Sequence, residues 1–282
     1  VYVEPDGDLL ETAKHNHLAL GASNLEHHHA DAAGFLLGNT AHFDLLYLDP
    51  SRRSNADRKV FKFSDCAPDV VSLLPTLFKK SNSILVKASP LIDIQQGLNE
   101  LGLVSKVFVI GFDNECKEVL FLIANSEREP IIEVVDLSDG DEKPKPFSFT
   151  HTEENHSAVS LGEPSSLLYE PSAMMLKAGA FKLLANRFDL KKVAPNTHLY
   201  TAGSLMPGFP GRIFKIEGFL KPDSKSVHGA LPEGQANIIS RNYPLSPVQL
   251  KKRLKLKDGG GQFVIAFSGK AKKYLVLASR VK

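Results

Sequence analysis

The sequence predicts a doubly wound α/β domain followed by a small α+β domain, and three observations support this fold class. Short apolar runs alternate with amphipathic helical segments through residues 1–124. The stretch 43–48 is almost entirely apolar, as expected for a strand that is buried on both faces of a parallel sheet. After residue 210 the pattern indicates a strand, a basic helix and two more strands, an order typical of a compact α+β module.

The first domain begins with a strand that ends at Glu4, a helix over 8–20 and a second strand over 24–29. The apolar run at 43–48 is the third strand. Beyond it, the pattern predicts a helix over 69–78, a strand over 83–86, a helix over 91–101 and strands over 104–112 and 118–124. The last two strands are close enough in sequence to form a hairpin at the edge of the sheet.

We divide the chain into three parts. Residues 1–167 form the α/β domain, to which 125–167 add a hairpin with strands over 131–137 and 146–149. Residues 168–210 form a short segment with a helix over 172–185 and a loop-rich stretch over 193–211. Residues 211–282 form the α+β domain, with a strand over 212–219, a helix over 246–256 and strands over 263–267 and 274–278.

Charge is distributed very unevenly along the chain. The formal net charge is only +2, but residues 1–124 carry −5 and residues 125–167 carry −7. Residues 168–210 carry +3, and residues 211–282 have 15 basic and 4 acidic side chains, a net charge of +11. A domain with that charge attracts polyanions such as nucleic acids. The alternative is a basic surface that contacts only solvent.

Composition excludes several classes of protein. With 43% hydrophobic residues the chain can build an ordinary core, and none of its apolar runs approaches the length of a membrane span. Cys66 and Cys116 cannot form a disulfide framework or a zinc site alone, which is typical of reduced thiols in the cytoplasm. The sequence starts at Val1, inside a predicted strand and without a methionine, so we expect a fragment. The sequence does not decide whether a targeting peptide precedes Val1.

Asp49 is the first candidate for a functional residue. It follows the apolar run directly, and Pro50 then forces the chain out of the sheet because proline fixes its φ angle and has no backbone donor. Open α/β sheets bind their ligands at the carboxyl ends of the strands, which is where Asp49 would lie. The alternative is an Asp-Pro turn that does no more than end a strand.

Four stretches of the first domain share a known order and spacing: YVEPD at 2–6, HADA at 29–32, YLDPSRR at 47–53 and LVKASP at 85–90. Together they resemble a class I methyltransferase that uses S-adenosylmethionine. LYEPSAMMLKAGAF at 168–181 and NTHLYT at 196–201 are similar to a ferredoxin-like segment, and FPGRIFKI at 209–216 and SRNYP at 240–244 to a THUMP-like domain. The chain therefore resembles a bacterial family that joins all three parts. The resemblance implies a Rossmann-like methyltransferase sheet followed by a small α+β THUMP-like domain.

The resemblance also implies roles for individual residues. Glu4 would accept hydrogen bonds from the cofactor's ribose hydroxyls, as an acid at a strand end does in folds of this type. Asp31 would accept from the adenine amino group, and Ala32 would offer its backbone N–H to the adenine ring. Asp49 and Pro50 would hold the target nitrogen near the methyl group, so positioning would supply much of the catalysis. Ser51 and Arg52 complete this catalytic stretch.

The chain departs from the family pattern in two respects. The first strand and its glycine-rich turn, which would hold the methionine part of the cofactor, would precede Val1, so we expect this chain alone to bind the cofactor poorly and to be inactive. The catalytic stretch also lacks the aromatic fourth residue of amino-directed methyltransferases. Phe61 or Phe63 could supply a stacking face, although each also fits a core position. No cysteine follows the strand over 83–86, which leaves Cys66 as the nearest nucleophile for a covalent mechanism.

Two further patterns suggest binding sites. His27, His28 and His29 suggest a metal, but only the first and third share a face of a strand and no acid or cysteine stands at ligand spacing, so we predict no metal site. The basic residues of the last domain form a predicted phosphate-contact surface that would position RNA without reading its sequence. Its members are Arg241, Lys251, Lys252, Arg253, Lys255, Lys270, Lys272 and Lys273.

These observations lead to one main hypothesis and two alternatives. The main hypothesis is a cytoplasmic methyltransferase that acts on a base of structured RNA, transfer RNA or ribosomal RNA, with no membrane partner. The first alternative is a non-catalytic RNA-binding protein that keeps a degenerate methyltransferase fold. The second is a methyltransferase for a small molecule or a protein. Two acids at strand ends, Glu4 and Asp31, favour a cofactor site over a pure scaffold.

Overall fold

The computed structural model describes residues 1–52, 62–124, 128–138 and 145–281. They form two compact units. The first unit contains residues 1–108 and 117–131, and the second contains residues 109–116 and 132–282. None of the helices in the described ranges has the length and apolar content that a membrane crossing needs.

The first unit alternates strands and helices. Its strands are β1 (Tyr2–Glu4), β2 (His27–His29), β3 (Leu46–Leu48), β4 (Ser51–Arg52), β5 (Cys66–Ala67), β6 (Ser83–Ala88), β7 (Val104–Phe112) and β8 (Glu115–Ala124). Its helices are α1 (Gly7–Ala19), α2 (Ala32–Gly38), α3 (Val70–Phe78) and α4 (Ile94–Leu101). The turn between β7 and β8, with the ends of both strands, belongs to the second unit.

The second unit consists mainly of strands. Its strands are β9 (Ile131–Asp136), β10 (Phe147–Thr150), β11 (Leu167–Pro171), β12 (Lys191–Ala194), β13 (Thr197–Ala202), β14 (Gly211–Phe219), β15 (Asn237–Arg241), β16 (Gln262–Ser268) and β17 (Lys273–Arg280). Its helices are α5 (His151–His156), α6 (Ala173–Ala178), α7 (Lys182–Arg187), α8 (Ser224–Ala230) and α9 (Pro247–Leu254).

Aspartates fix where the helices of the first unit begin. Asp6, Asp31, Asp69 and Asp93 lie immediately before α1 to α4, and each carboxylate accepts a backbone N–H of the first turn. Such caps satisfy donors that have no partner within the helix. The cap at Asp93 explains why α4 begins at Ile94 rather than at residue 91 as predicted.

The strands of the first unit belong to separate sheets. β1 pairs in parallel with β2, with Glu4 opposite His29. β3 pairs in parallel with β6, and β6 pairs antiparallel with β8, so these strands belong to a mixed sheet. Alternate residues of β6 to β8 are fully buried, including Ile84, Val86 and Phe121. Both the predicted alternation of strands and helices and the predicted β7–β8 hairpin are present. The run 43–48 is not buried on both faces as predicted, because only Leu48 of β3 is buried and Tyr47 is exposed.

The structure corrects the prediction for residues 172–211. The single helix over 172–185 is two helices, α6 and α7, because Gly179 adopts a left-handed conformation with φ 84° and ends the first one. The stretch predicted as loop-rich contains β13 and ends where β14 begins. Prolines at 195, 207 and 210 suggested loops, but they lie outside these strands.

The second unit is organised around one curled sheet with the strand order β12-β13-β11-β14-β17-β16-β15. Thr197 in β13 donates its hydroxyl to the carbonyl of Ser268 in β16 (2.7 Å) and accepts from Asn242, just after β15 (3.2 Å). The two sides of the sheet therefore meet. One face encloses a core that includes Leu168, Phe214 and Phe267, and the other packs under α8 and α9. Residues 168–210 and 211–282, which we predicted as separate parts, share this sheet through the β11–β14 pair.

Candidate functional site

The most informative charged contact of the first unit joins Asp49 to Lys87. Asp49 directly follows β3 and Lys87 lies within β6, and the two are neighbours because Leu48 lies opposite Val86 in the parallel β3–β6 pair. Lys87 Nζ lies 2.6 Å from Asp49 Oδ2, and the two side chains are 28% and 52% exposed. The hydrogen bond from Lys87 to Asp49 raises the pKa of the ammonium group, so Lys87 stays charged at neutral pH. The pair fixes the Asp49 carboxylate at the end of the strand.

Two more groups surround this pair. Glu118 Oε1 in β8 lies 3.7 Å from Lys87 Nζ, so one ammonium group lies near two carboxylates. Tyr47 is two residues before Asp49, which places both side chains on one face of the strand, and its ring is exposed. Burial and, secondarily, the charge of Asp49 raise the pKa of the Tyr47 hydroxyl, which therefore remains a donor.

Sequence reasoning missed the roles of Lys87 and Tyr47. Lys87 was part of a quoted stretch but had no assigned role, because the sequence does not say that β3 and β6 are neighbours. Tyr47 could have been found from the alternation of side chains along a strand, since Asp49 lies two residues further on. Tyr47 also supplies an exposed aromatic ring, which the stretch after Asp49 lacks.

The remainder of the predicted catalytic stretch leads into a short two-stranded ribbon. Ser51 pairs with Ala67 and Arg52 with Cys66, and the Ser51 hydroxyl donates to the carbonyl of Ala67 (3.3 Å). The ribbon brings the backbone of Cys66 opposite the catalytic stretch, which sequence spacing alone did not establish.

The two phenylalanines considered as stacking faces are not equivalent. Phe63 is buried and packs edge to face against Phe121, with ring centroids 5.3 Å apart, so it is a core residue. Phe61 and Arg53 lie outside the described residues. Within the described part of the chain, Tyr47 is therefore the aromatic residue that best fits a stacking role beside Asp49.

Glu4 and Asp31 lie at the carboxyl ends of the paired strands β1 and β2. Glu4 Oε1 accepts the backbone N–H of Asp6 (3.0 Å), and Asp31 Oδ1 accepts that of Gly34 (2.8 Å) at the start of α2. Each carboxylate thus uses one oxygen locally and has a second oxygen that can accept from a ligand. Ala32 is the first residue of α2, where the N–H has no partner within the helix.

The histidines near β2 are engaged with one another and with the backbone. His17 Nδ1 lies 2.9 Å from His27 Nε2, and Tyr2 packs edge to face on His17. His29 Nε2 lies 3.0 Å from the carbonyl of Pro5. In the described ranges, no group of three or more histidine, cysteine, aspartate or glutamate side chains is placed to hold a metal ion.

The predicted phosphate-contact surface divides into two groups. The helix-end group, near the beginnings of β15 and β16, consists of Lys251, Lys252, Arg253 and Lys255. The turn group, which follows the end of β16, consists of Lys270, Lys272 and Lys273. β16 has 7 residues, so roughly 20 Å of strand separates the two groups. Lys251 is paired with Asp258, whereas the other members of both groups are exposed.

Arg241 belongs to neither group because it pairs with a buried acid. Glu170, only 2% exposed, accepts from Arg212 Nε (2.8 Å) and lies 2.6 Å from Arg241 Nη2. The second contact is close enough for an ion pair but is not aligned as a hydrogen bond. The Arg241 side chain is 39% exposed, although its Nε is buried, and its charge balances that of Glu170.

Residues 167–210 match a family described as a ferredoxin-like domain, and residues 211–280 match one described as THUMP domain-like. Among solved structures, the chain is similar to a protein described as a “putative methyltransferase” from Porphyromonas gingivalis W83, with a TM-score of 0.87 and 34% sequence identity. The similarity covers 100% of this chain and 71% of that protein. No match is found among curated proteins. These likenesses confirm the predicted fold class, a methyltransferase-type α/β fold with a THUMP-like domain at the carboxyl end.

Proposed function

Because the chain belongs to the methyltransferase family that carries a ferredoxin-like segment and a THUMP-like domain, we propose that it transfers a methyl group from S-adenosylmethionine to a base of structured RNA, either transfer RNA or ribosomal RNA. The observation that carries the proposal is the Asp49 carboxylate, which Lys87 holds at a strand end beside the exposed ring of Tyr47. This arrangement offers an acceptor and a stacking face to one base.

The acids at the ends of β1 and β2 fit the adenosine part of the cofactor. Glu4 and Asp31 each have a carboxylate oxygen that is not used by the neighbouring backbone N–H. These oxygens suit the ribose hydroxyls and the adenine amino group, which are donors. The N–H of Ala32, which has no helical partner, suits an acceptor nitrogen of the adenine ring. When bound, S-adenosylmethionine supplies an electrophilic methyl group on a positively charged sulfur.

Asp49 would orient the nitrogen that receives the methyl group. Lys87 occupies Oδ2, so Oδ1 can accept an N–H of an amino group on the base. That hydrogen bond would direct the nitrogen lone pair away from the carboxylate and toward the methyl group, since positioning supplies much of the rate in a displacement. Once methylated, the nitrogen carries a positive charge, and Asp49 would accept its proton. Tyr47 would stack on the base and hold its plane.

The basic residues of the last domain support RNA as the substrate. Residues 211–282 carry a net charge of +11, and both the helix-end group and the turn group present exposed ammonium or guanidinium groups. Contacts of this kind neutralise phosphates and position RNA without reading its sequence. Two groups roughly 20 Å apart would contact phosphates on different parts of one folded RNA.

The test measures methyl transfer from radiolabelled S-adenosylmethionine to total cellular RNA by the full natural protein and its Asp49→Ala variant. Loss of the acceptor should reduce transfer by about 100-fold or more. The Kd for RNA, measured by filter binding, should stay within about twofold because the basic residues are unchanged. Asp44→Ala, which removes an exposed acid just before β3, is the matched control and should keep full activity.

Three outcomes would contradict parts of the proposal. Full activity of Asp49→Ala would refute the role of Asp49. Methyl transfer to proteins or small molecules, but not to RNA, would refute the substrate. RNA binding without transfer to any acceptor would indicate a non-catalytic RNA-binding protein instead.

A further inference from the structure

A cavity of about 300 Å³ lies beside the turn between β16 and β17. Its lining combines aromatic, basic and acidic side chains, and the residues that matter here are Phe219, Tyr274, Lys272, Lys273 and Glu163. All of them belong to the second unit. The volume is at the lower end of the range for small-molecule sites, which suits a single nucleotide rather than a large ligand.

Phe219 gives this cavity an apolar face that the fold itself does not use. It is the last residue of β14, lies opposite Val276 of β17, and its side chain is 58% exposed. Its ring centroid is 5.9 Å from that of Tyr274, which is buried and stacks on Phe267. A buried aromatic pair therefore supports one exposed ring, and an exposed ring on a rigid strand is the usual surface for stacking an unpaired base.

The charged groups complement a nucleotide rather than an apolar ligand. Lys272 and Lys273 are exposed on the turn, and Lys272 Nζ lies 5.2 Å from the centre of the Tyr274 ring. Lys270 adds a third ammonium group on the same turn. Because their exposed side chains are long and mobile, these lysines can reach phosphates on either side of a base that stacks on Phe219.

Glu163 places a hydrogen-bond acceptor at the cavity. The Tyr274 hydroxyl donates to Glu163 Oε2, which fixes the carboxylate at the cavity and leaves Oε1 to accept from a ligand. Cytosine and adenine present an amino group that a carboxylate can accept from. Uracil presents carbonyl oxygens on both sides of its only ring N–H, and these would repel the carboxylate.

We propose that this cavity binds one unpaired base of single-stranded RNA, stacked on Phe219, with the flanking phosphates on Lys272 and Lys273 and with Glu163 favouring cytosine or adenine over uracil. The inference rests on the proposed RNA substrate. To the proposed function it adds a site that recognises an unpaired nucleotide. A set of surface lysines alone would instead bind any phosphate backbone equally well.

The experiment measures the binding of labelled oligocytidine, oligoadenosine and oligouridine to the full natural protein by fluorescence anisotropy. The wild type should bind cytidine or adenine oligomers several-fold more tightly than uridine oligomers. Phe219→Ala should raise the Kd for cytidine about tenfold or more, as loss of one stacked base does. Lys272→Ala should lower the salt dependence, the slope of log K against log[salt], by about 0.7 for one phosphate contact.

Matched controls separate the site from general effects. Phe112→Ala removes another exposed phenylalanine, 46% exposed at the end of β7, and should leave the Kd unchanged. Lys225→Ala removes an exposed ammonium of α8 outside the cavity and should not alter the base preference. Glu163→Gln should reduce the preference for cytosine over uracil, because an amide can donate to uracil as well as accept.

Methyl transfer to cellular RNA is measured in parallel, so the two proposals can fail separately. If the wild type methylates RNA but Phe219→Ala binds oligomers as tightly as Phe112→Ala does, the cavity proposal is wrong and the function stands. If the wild type binds none of the oligomers, the cavity proposal is also wrong. If it binds them with the expected preference but no RNA is methylated, the cavity proposal holds and the proposed function fails.

Discussion

The two units of the molecule differ in whether they bury charged side chains. In the first unit the acids that matter lie at strand ends and remain open to solvent, as for Asp49 and Asp31. In the second unit several charged groups are almost fully buried, including Glu170, Glu154 and Lys192. Glu154 accepts the backbone N–H groups of Lys182 and Leu183 at the start of α7.

Burial explains what each kind of charge can do. A buried carboxylate must be paired, because an unpaired charge away from water is very costly, so Glu170 and Glu154 are needed for the fold. An exposed pair adds little to stability because water screens it. The Asp49–Lys87 pair is therefore free to serve a ligand.

Removing the buried acid should have the largest effect. Glu170→Ala leaves Arg212 and Arg241 close together without their counter-charge, and we expect the free energy of unfolding to fall by about 3 kcal/mol. This is the lower part of the range for a broken buried pair, because both arginine side chains are partly exposed. Urea unfolding followed by circular dichroism measures it.

The control for Glu170 comes from the first unit. Glu11 pairs with Lys14 on the exposed side of α1, and Glu11→Ala should leave the unfolding free energy nearly unchanged. Equal losses of unfolding free energy in the two variants would show that burial does not explain the difference between the charged residues of the two units.

A histidine of the second unit should make stability depend on pH. His198 stacks on Phe181 with ring centroids 3.8 Å apart, and its Nδ1 is buried without a partner. Burial, together with the nearby charge of Lys192, lowers its pKa from 6.5 to about 4. Between these values the unfolded chain binds more protons than the folded one, so stability should fall as the pH is lowered from 6.5 to 4.

The size of this effect is about 2 kcal/mol across that pH window. His198→Phe keeps the stacking and removes the titration, so its urea midpoint should vary less with pH than that of the wild type. His42→Gln, which changes an exposed histidine of the first unit, should follow the wild-type profile. An unchanged profile for His198→Phe would mean that other groups cause the pH dependence.

The smallest expected change concerns Lys87, which acts through Asp49. Lys87→Met removes the group that fixes the carboxylate, and we expect the kcat of methyl transfer to fall about tenfold while the unfolding free energy changes by less than about 1 kcal/mol. Lys87→Arg should restore part of the rate, because it keeps the charge and the hydrogen bond. Lys79→Met, on an exposed lysine after α3, is the control. A loss of stability as large as that of Glu170→Ala would mean that Lys87 is structural.

Most of the fold could be predicted from local patterns. The pattern over 69–78 gave α3 to within one residue, and the β-branched and aromatic residues over 104–112 gave β7 with the predicted bounds. The run 43–48 gave a strand, but it is shorter than predicted and only Leu48 in it is buried. Errors occurred where one residue overrides a pattern, as Gly179 does between α6 and α7. The short strands β11, β13 and β15 were missed because their hydrogen bonds are made to strands distant in the sequence.

The candidate site was predicted only in part for the same reason. The acids at strand ends, Glu4, Asp31 and Asp49, could be identified from the sequence because a strand followed by an acid and a turn is a local pattern. Lys87 could not, since its contact with Asp49 depends on which strands are neighbours. Six of the predicted basic residues are exposed, whereas Arg241 pairs with Glu170 and Lys251 with Asp258, contacts that the sequence did not indicate. The division into two groups depends on the length and direction of β16.

The sequence by itself determined the order of elements, the charge of each region and the residue types at the strand ends, because these depend on local periodicity and composition. Only the tertiary structure decided which strands pair, that Arg241 neutralises Glu170, and that Phe219, Tyr274 and Glu163 line one cavity. Such contacts join residues up to 111 positions apart, as between Glu163 and Tyr274. Their formation depends on packing the whole chain, which no local pattern encodes.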